Sequence, residues 1–303
     1  MRSVTRRAHA KLNAFLRVLG PREDGFHDIQ TAILPIELHD VVTVEEHDAL
    51  VIEVTGERAE ELEGAGGESL VGRAAHAWAS AAGVRAPRAR IVIEKRIPVA
   101  AGLGGGSADA AATILALDEL FGTALTPEAI LEVAAEVGSD VCALVHGGPV
   151  FADGRGEHVL ALHAPTSHWV VRPLPFAVRT PDAYAWWDER PSSGPDPGSL
   201  IAAIEVGDHD LAGSALFDDL QPGVTERHPQ VARVVAAFGA SGAPGAVMSG
   251  SGPTVVALAR DPVHAAAIAS AVPGSFVTTA TTPGSAFAFD VSILRIFAWV
   301  WSA

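Results

Sequence analysis

The sequence holds one cysteine, Cys142, in 303 residues. A lone thiol cannot build a disulfide framework, so a reducing cytoplasm suits the chain and its stability must come from a core. Nothing around Cys142 marks it as a nucleophile, and it reads as structural. Positive charge is scarce too: 21 Lys and Arg stand against 36 Asp and Glu, a formal net charge of −15. A nucleic-acid backbone needs a basic face, which argues against such a partner. An anionic ligand must then be met by a local cluster, not by the overall field. No apolar core follows Met1-Arg2-Ser3-Val4-Thr5-Arg6-Arg7, so no secretory leader is expected. The 12 histidines fall into no metal-ligand spacing, and His209-Asp210 reads as a solvated helix start. No internal repeat recurs at a fixed period. What is plentiful is apolar surface, 49% of residues, enough for a sizeable core in two domains or one two-lobed fold.

The most telling stretch runs Ile97-Pro98-Val99-Ala100-Ala101-Gly102-Leu103-Gly104-Gly105-Gly106-Ser107-Ala108-Asp109. A β-branched run, Ile91-Val92-Ile93, precedes it, and an alanine- and leucine-rich helical segment follows. The glycines thus join a strand to the first turn of a helix. Free backbone N–H groups and the positive end of a helix dipole converge there, and a phosphate fits. Two familiar phosphate loops fail for want of one residue each. A P-loop needs Lys after its last glycine, and Ser107 follows Gly106. The dinucleotide pattern G-x-G-x-x-G needs glycine at 107.

Along the chain, Leu12, Ala14, Leu16 and Val18 alternate with Lys11 and Asn13, a strand whose polar face suits a pocket. Strands are expected at 41–44, 50–54 and 89–95, with a loop over 56–68 and a helix over 69–82. The helix after the glycine loop should span 107–121 and close at Gly122, with Ser107 at its start able to bond a phosphate oxygen or Mg²⁺ or to serve as a plain N-cap. Thr126-Pro127-Glu128 opens a further helix that ends at Gly138. Asp153-Gly154 reads as a turn between strands. A loop over 190–198, helices at 208–219 and 229–239, two strands around Gly250-Ser251-Gly252, a helix at 262–271 and a strand at 275–280 complete an α+β arrangement. The apolar end, 287–303, is short for a membrane span and is interrupted by Asp290 and Arg295. Packing on the chain's own domain or on a partner in a homodimer is expected of it.

Four segments in order resemble the GHMP small-molecule kinases. The loop from Pro98 matches their P-x-x-x-G-L-G-[GS]-S-[SA] motif. Ala10-Lys11-Leu12-Asn13 and Asp24-Gly25-Phe26-His27 are similar to N-terminal segments of the branch acting on a cytidyl nucleotide. Gly138-Ser139-Asp140-Val141 with Gly154-Arg155-Gly156-Glu157, and Met248-Ser249-Gly250-Ser251-Gly252-Pro253-Thr254, complete the set. The resemblance covers about residues 8–259. His9, Cys142 and Asp218 depart from the family pattern, and none of these changes removes a catalytic group.

The resemblance implies a two-lobed α+β fold: an N-terminal ATP-binding lobe over 1–162, built like the second domain of a small-subunit ribosomal protein, and a ferredoxin-like C-terminal lobe over 163–286. It implies ATP and Mg²⁺ as cofactors and phosphorylation of the 2-hydroxyl of 4-diphosphocytidyl-2-C-methyl-D-erythritol, in the non-mevalonate route to isoprenoid precursors. Asp140 would be general base and Lys11 its catalytic partner. Residues Lys95, Pro98, Ala100, Ala101, Gly102, Leu103, Gly104, Gly105, Gly106, Ser107 and Ala108 would bind ATP, Lys95 near the adenine, with Ser107 also able to reach the metal. Lys11, Asn13, Phe26, His27, Asp140 and Thr180 would hold the cytidyl substrate, Phe26 by stacking. Ser69 stands where the family often has Asn, which weakens the reading of the adenine pocket. Without the resemblance, Asp140 reads as a helix cap and Lys11 as a solvated strand residue. Two alternatives stand beside it: a kinase for another small alcohol of mevalonate or homoserine type, and a non-catalytic nucleotide-binding regulator.

Overall fold

A computed structural model describes residues 2–60 and 69–280. The tail from Phe287 and most of the 56–68 loop lie outside the described residues. The N-terminal half opens with two long antiparallel strands, β1 (Ser3–Pro21) and β2 (His27–Glu46). There follow β3 (Val51–Thr55), α1 (Leu70–Ala81), β4 (Ala89–Glu94), α2 (Gly105–Phe121), α3 (Pro127–Val137) and α4 (Ser139–His146). Then come β5 (Val150–Gly154), β6 (His158–Ala161) and β7 (Ser167–Arg172). The remainder is α5 (Thr180–Glu189), α6 (Gly198–Val206), α7 (His209–Ser214), β8 (Phe217–Asp218), α8 (Gln221–Arg227), α9 (Gln230–Ala240), β9 (Gly245–Met248), β10 (Val255–Ala259), α10 (Pro262–Ala271) and β11 (Phe276–Ala280).

One continuous sheet carries both halves, in the order β3-β4-β2-β11-β7-β10-β9. Along that path the halves join at one pair, Ala280 opposite Ile36, and beside it β8 pairs with β1 at Phe15 and Leu16. β2 makes this possible through its length. Its C-terminal part pairs with β4, its N-terminal part with β5, and β1 follows it along both. β1 is therefore buried on both faces over its middle. Leu12 and Ala14 point into one core, and Lys11 and Asn13, 4% and 3% exposed, point into the space between the halves. One apolar cluster lies under α1, α2, α3 and α4, around Trp78, Ile91 and Leu117. A second lies among α5, α8, α9 and α10, around Trp187, Phe238 and Val255.

Three expectations are corrected. The glycine-loop helix begins at Gly105, not at Ser107, because Gly104 takes the left-handed conformation (φ 69°) and serves as N-cap. Ser107 is thus a residue of the first turn. The segment 208–219 is not one helix. It breaks at Ser214, and Phe217–Asp218 form β8, parallel to β1 at Phe15 and Leu16. Asp208 caps the short helix there, accepting the Leu211 N–H. Finally, α5 was not read as a helix although Thr180-Pro181-Asp182 repeats the start signal of Thr126-Pro127-Glu128, and α6 begins inside the segment read as loop.

Candidate active site

The glycine loop is shaped by what it touches. A Cβ on Gly102 (φ +78°) would lie 2.3 Å from the Ser249 carbonyl oxygen, so only glycine allows that approach. A Cβ on Gly104 would lie 2.8 Å from Lys11 Cγ. The lysine stem is therefore laid along the loop, and the Lys11 N–H donates to the Leu103 carbonyl at 2.9 Å. The segment around Ser249 meets the loop from the other half. Ser249 Oγ donates to the Gly102 carbonyl (3.2 Å) and accepts the Asn13 N–H (3.1 Å), while the Thr254 N–H donates to the Ala101 carbonyl (3.3 Å). Both halves of the chain thus close on one point.

At the head of α2 no side chain caps the helix. Its first intrahelical bond runs from the Ala108 N–H to Gly104, so the N–H groups of Gly105, Gly106 and Ser107 face outward from the first turn. These are suitable donors for phosphate oxygens. The Ser107 hydroxyl stands in the same turn, an oxygen of the kind Mg²⁺ takes together with nucleotide phosphates. Among the described residues no three His, Cys, Asp or Glu side chains gather into a metal cage.

Lys11 points its ammonium at two oxygens. Asn13 Oδ1 accepts from Nζ at 2.6 Å, and Asp140 Oδ2 stands 3.4 Å away. Asp140 sits in the first turn of α4, two residues after Gly138 at its N-cap, with its side chain 39% exposed. Asn13 is held in turn: its Nδ2 donates to Thr31 Oγ1 at 2.8 Å, and Thr31 donates to the Phe15 carbonyl at 2.7 Å. The chain Thr31–Asn13–Lys11–Asp140 fixes the lysine without help from solvent. Nearby, Asp218 is buried, its Oδ1 accepting the Leu220 N–H at 2.8 Å. Burial pushes its carboxyl well above the usual carboxylate range, against the pull of Lys11.

Phe26 is half exposed, and the Arg155 guanidinium lies over its ring, 5.0 Å from the centroid. His27 lies in β2, its Nε2 2.8 Å from Asp188 Oδ1 and its ring stacked on Tyr184 at 4.8 Å. Thr180 opens α5, and its hydroxyl lies 3.2 Å from Ser251 Oγ.

Lys11, Asn13, Asp140, Gly102, Leu103, Gly104 and the first turn of α2 are thus brought together. Phe26 lies against Arg155, His27 against Tyr184 and Asp188 of α5, and Thr180 against Ser251 in the segment that meets the glycine loop. Lys95 is placed differently from the expected adenine contact. Its side chain is 2% exposed and lies beneath the loop, its ammonium bound by Asp40 and Asp109. Two of its three donors are taken by buried carboxylates, and at 2% exposure the side chain presents no open surface to a base. Residues missed in the sequence include Ser249, Thr31, Asp188 and Tyr184. The Ser249 segment carried a motif signal, but Thr31 and Asp188 act only through pairings between distant strands and helices. Cys142 is buried and burial pushes its thiol up to about 12, which fits its structural reading.

This fold and site define a small-molecule kinase. The profile for the GHMP kinases N terminal domain matches residues 69–148, and that for the GHMP kinases C terminal matches residues 200–278. The chain belongs to the GHMP kinase family. It is 42% identical to the 4-diphosphocytidyl-2-C-methyl-D-erythritol kinase of Salinispora tropica, over 87% of this chain and 86% of the relative. It is 40% identical to the enzyme of the same name from Pelotomaculum thermopropionicum, over 85% and 90%. The crystal structure of a 4-(cytidine 5'-diphospho)-2C-methyl-D-erythritol kinase superposes with a TM-score of 0.75 at 33% identity, covering 91% of this chain and 98% of the other. A homoserine kinase from Cytophaga hutchinsonii shares the fold, with a TM-score of 0.72 at 21% identity over 93% and 95%. Among the described residues no helix is long and apolar enough to cross a membrane.

Proposed function

We propose that this kinase transfers the γ-phosphoryl group of ATP to the 2-hydroxyl of 4-diphosphocytidyl-2-C-methyl-D-erythritol, giving the 2-phosphate and ADP. The observation that carries the reading is the meeting of an uncapped glycine-loop helix with the Lys11–Asp140 pair at 3.4 Å, Lys11 lying along Gly104. The N–H groups of Gly105, Gly106 and Ser107 bind the phosphates. The Ser107 hydroxyl would hold Mg²⁺ beside the nucleotide, where the ion would supply charge neutralisation for the phosphates. Asp140 takes the proton of the attacking hydroxyl as the new P–O bond forms and the bond to the ADP oxygen breaks. Lys11, kept in place by Asn13, orients Asp140 and steadies the charge that develops on the acceptor oxygen.

Acceptor choice rests on Phe26 and His27. A ring face at Phe26 stacks on a base, and His27 offers a hydrogen-bonding edge fixed by Asp188. The test is ADP release with ATP and Mg²⁺, with and without the cytidyl substrate, beside mevalonate and homoserine. Release that depends on the cytidyl substrate supports the reading. Release driven by mevalonate or homoserine replaces the acceptor. Binding of ATP without release for any acceptor makes the chain a nucleotide-binding regulator.

A further inference from the structure

The chain has only two lysines, Lys11 and Lys95, and both are almost fully buried. They flank neighbouring glycines of the phosphate loop. Lys11 packs over Gly104, whose Cβ would lie 2.8 Å from its Cγ. Lys95 packs under Gly105, whose Cβ would lie 3.2 Å from its Nζ. The mechanism uses the first lysine and leaves the second without a task.

Lys95 binds both stems of the loop. On the entering side, its own N–H donates to the Thr55 carbonyl at 2.8 Å. Its Nζ donates to Asp40 Oδ2 at 2.5 Å, and Asp40 Oδ1 accepts the N–H groups of Arg96 (2.5 Å) and Ile97 (2.8 Å). On the leaving side, Nζ donates to Asp109 Oδ2 at 2.7 Å, one turn into α2. One ammonium therefore ties the last residues before the loop to the helix that follows it. Asp40, Lys95 and Asp109 are 0%, 2% and 3% exposed. Asp109 Oδ1 has no hydrogen-bond partner among the described residues.

Such a cluster is a poor source of stability. Removing three charges from water costs more than an ion pair in an apolar interior commonly returns. Burial pushes the Asp109 carboxyl up to about 7 against the pull of Lys95, a sign of that cost. What the cluster supplies is geometry, since its charges cannot rearrange without exposing one unpaired.

We infer that Lys95, bridging Asp40 and Asp109, is a positioning residue that sets the phosphate-loop N–H groups for the nucleotide and leaves acceptor binding to the other half of the cleft. The inference rests on the ATP-binding reading given above. It predicts a split between substrates that a general structural role would not produce.

The experiment uses the full chain with Lys95→Met, and with Lys95→Met combined with Asp109→Asn, which removes a cation and an anion together. Circular dichroism checks folding. Calorimetry measures ATP and ADP binding, and steady-state kinetics gives KM for each substrate. The expected result is ATP affinity weakened about 10- to 100-fold, the scale of loss from small misplacement of binding groups. KM for the cytidyl substrate should stay within a few-fold. ATP affinity equal to wild type in a folded variant overturns the inference, as does equal weakening of both substrates. If the wild type binds ATP but does not phosphorylate the cytidyl substrate, the acceptor reading fails and calorimetry alone still decides the role of Lys95. If neither variant folds, protein carrying ¹³C at the lysine ε carbons gives two signals, assigned with Lys11→Met. The Lys95 signal should move when ADP is added, and a signal that does not move overturns the inference.

Discussion

Replacing Asp140 by Asn should remove turnover while leaving the protein folded and able to bind ATP. The substitution keeps the shape of the side chain and its place in the first turn of α4. It removes the negative charge that stands 3.4 Å from Lys11 Nζ and, on the mechanism proposed above, the basic oxygen that receives the acceptor proton. The effect on stability should be small. Asp140 is 39% exposed, and an ion pair open to solvent contributes about 0–1 kcal/mol. Lys11 also keeps its 2.6 Å bond to Asn13, so no buried cation is orphaned. The effect on rate should be large, because a positioned base contributes roughly 100- to 10,000-fold. A loss of at least about 100-fold in kcat is expected, with ATP affinity nearly intact because the loop N–H groups are untouched. The assay is ADP release at saturating substrates, with calorimetry for ATP and a thermal melt for folding. Turnover equal to wild type would show that Asp140 is not the base. A melting temperature lowered by tens of degrees would mean that the pair holds the fold and that the rate loss says nothing about chemistry.

Phe26→Ala should weaken the cytidyl substrate by about 1–3 kcal/mol, the contribution of stacking on one base, and leave KM for ATP unchanged. Equal weakening of both substrates would assign Phe26 to folding. Gly104→Ala should lower both ATP affinity and kcat, because the new methyl would need a left-handed backbone and meet the Lys11 stem at 2.8 Å. An unaffected enzyme would show that the loop relaxes freely. Stability should fall as pH rises toward 7 by way of Asp109. Its folded carboxyl titrates at about 7, above the unfolded value of 3.8, so the native state holds the extra proton and loses that advantage as pH climbs. Asp109→Asn should flatten this part of the stability profile measured by urea titration, and an unchanged slope would locate the dependence elsewhere. Cys142 should resist iodoacetamide at pH 8 in the folded protein and react in denaturant, since its thiol is buried and titrates only at about 12.

The parts of the site that were legible in the sequence are those where chemistry and local geometry coincide. The glycines could be read because a strand-to-helix turn that admits an anion tolerates no side chain at Gly102 or Gly104. Lys11 and Asn13 could be placed on one face because strand alternation is local, and their 2.6 Å bond bears out the shared face. The helix start at Gly105 was misread because Ser107 is the better cap by residue type. The backbone instead uses glycine in the left-handed conformation, which leaves the head of α2 open. The segment 208–219 was misread because its strand, β8, exists only through its pairing with β1.

Lys95 illustrates the remaining limit. Its neighbours in the sequence, Glu94 and Arg96, suggest a solvated strand end, and Glu94 and Arg96 do pair with each other at the surface. Nothing local brings Asp40 to it, 55 residues away, or turns Asp109 inward from α2. Only β2, reaching across both halves of the sheet, puts Asp40 under the loop. A chain this poor in lysine and this rich in acid nonetheless spends both of its lysines on opposite sides of one pair of glycines. The overall charge opposes a nucleotide, so the anion must be met by a few fixed groups. Two buried ammonium groups, each held by carboxylates or an amide, are the local answer to that field. Lys11 lies along Gly104 beside Asp140, and Lys95 lies under Gly105 between Asp40 and Asp109.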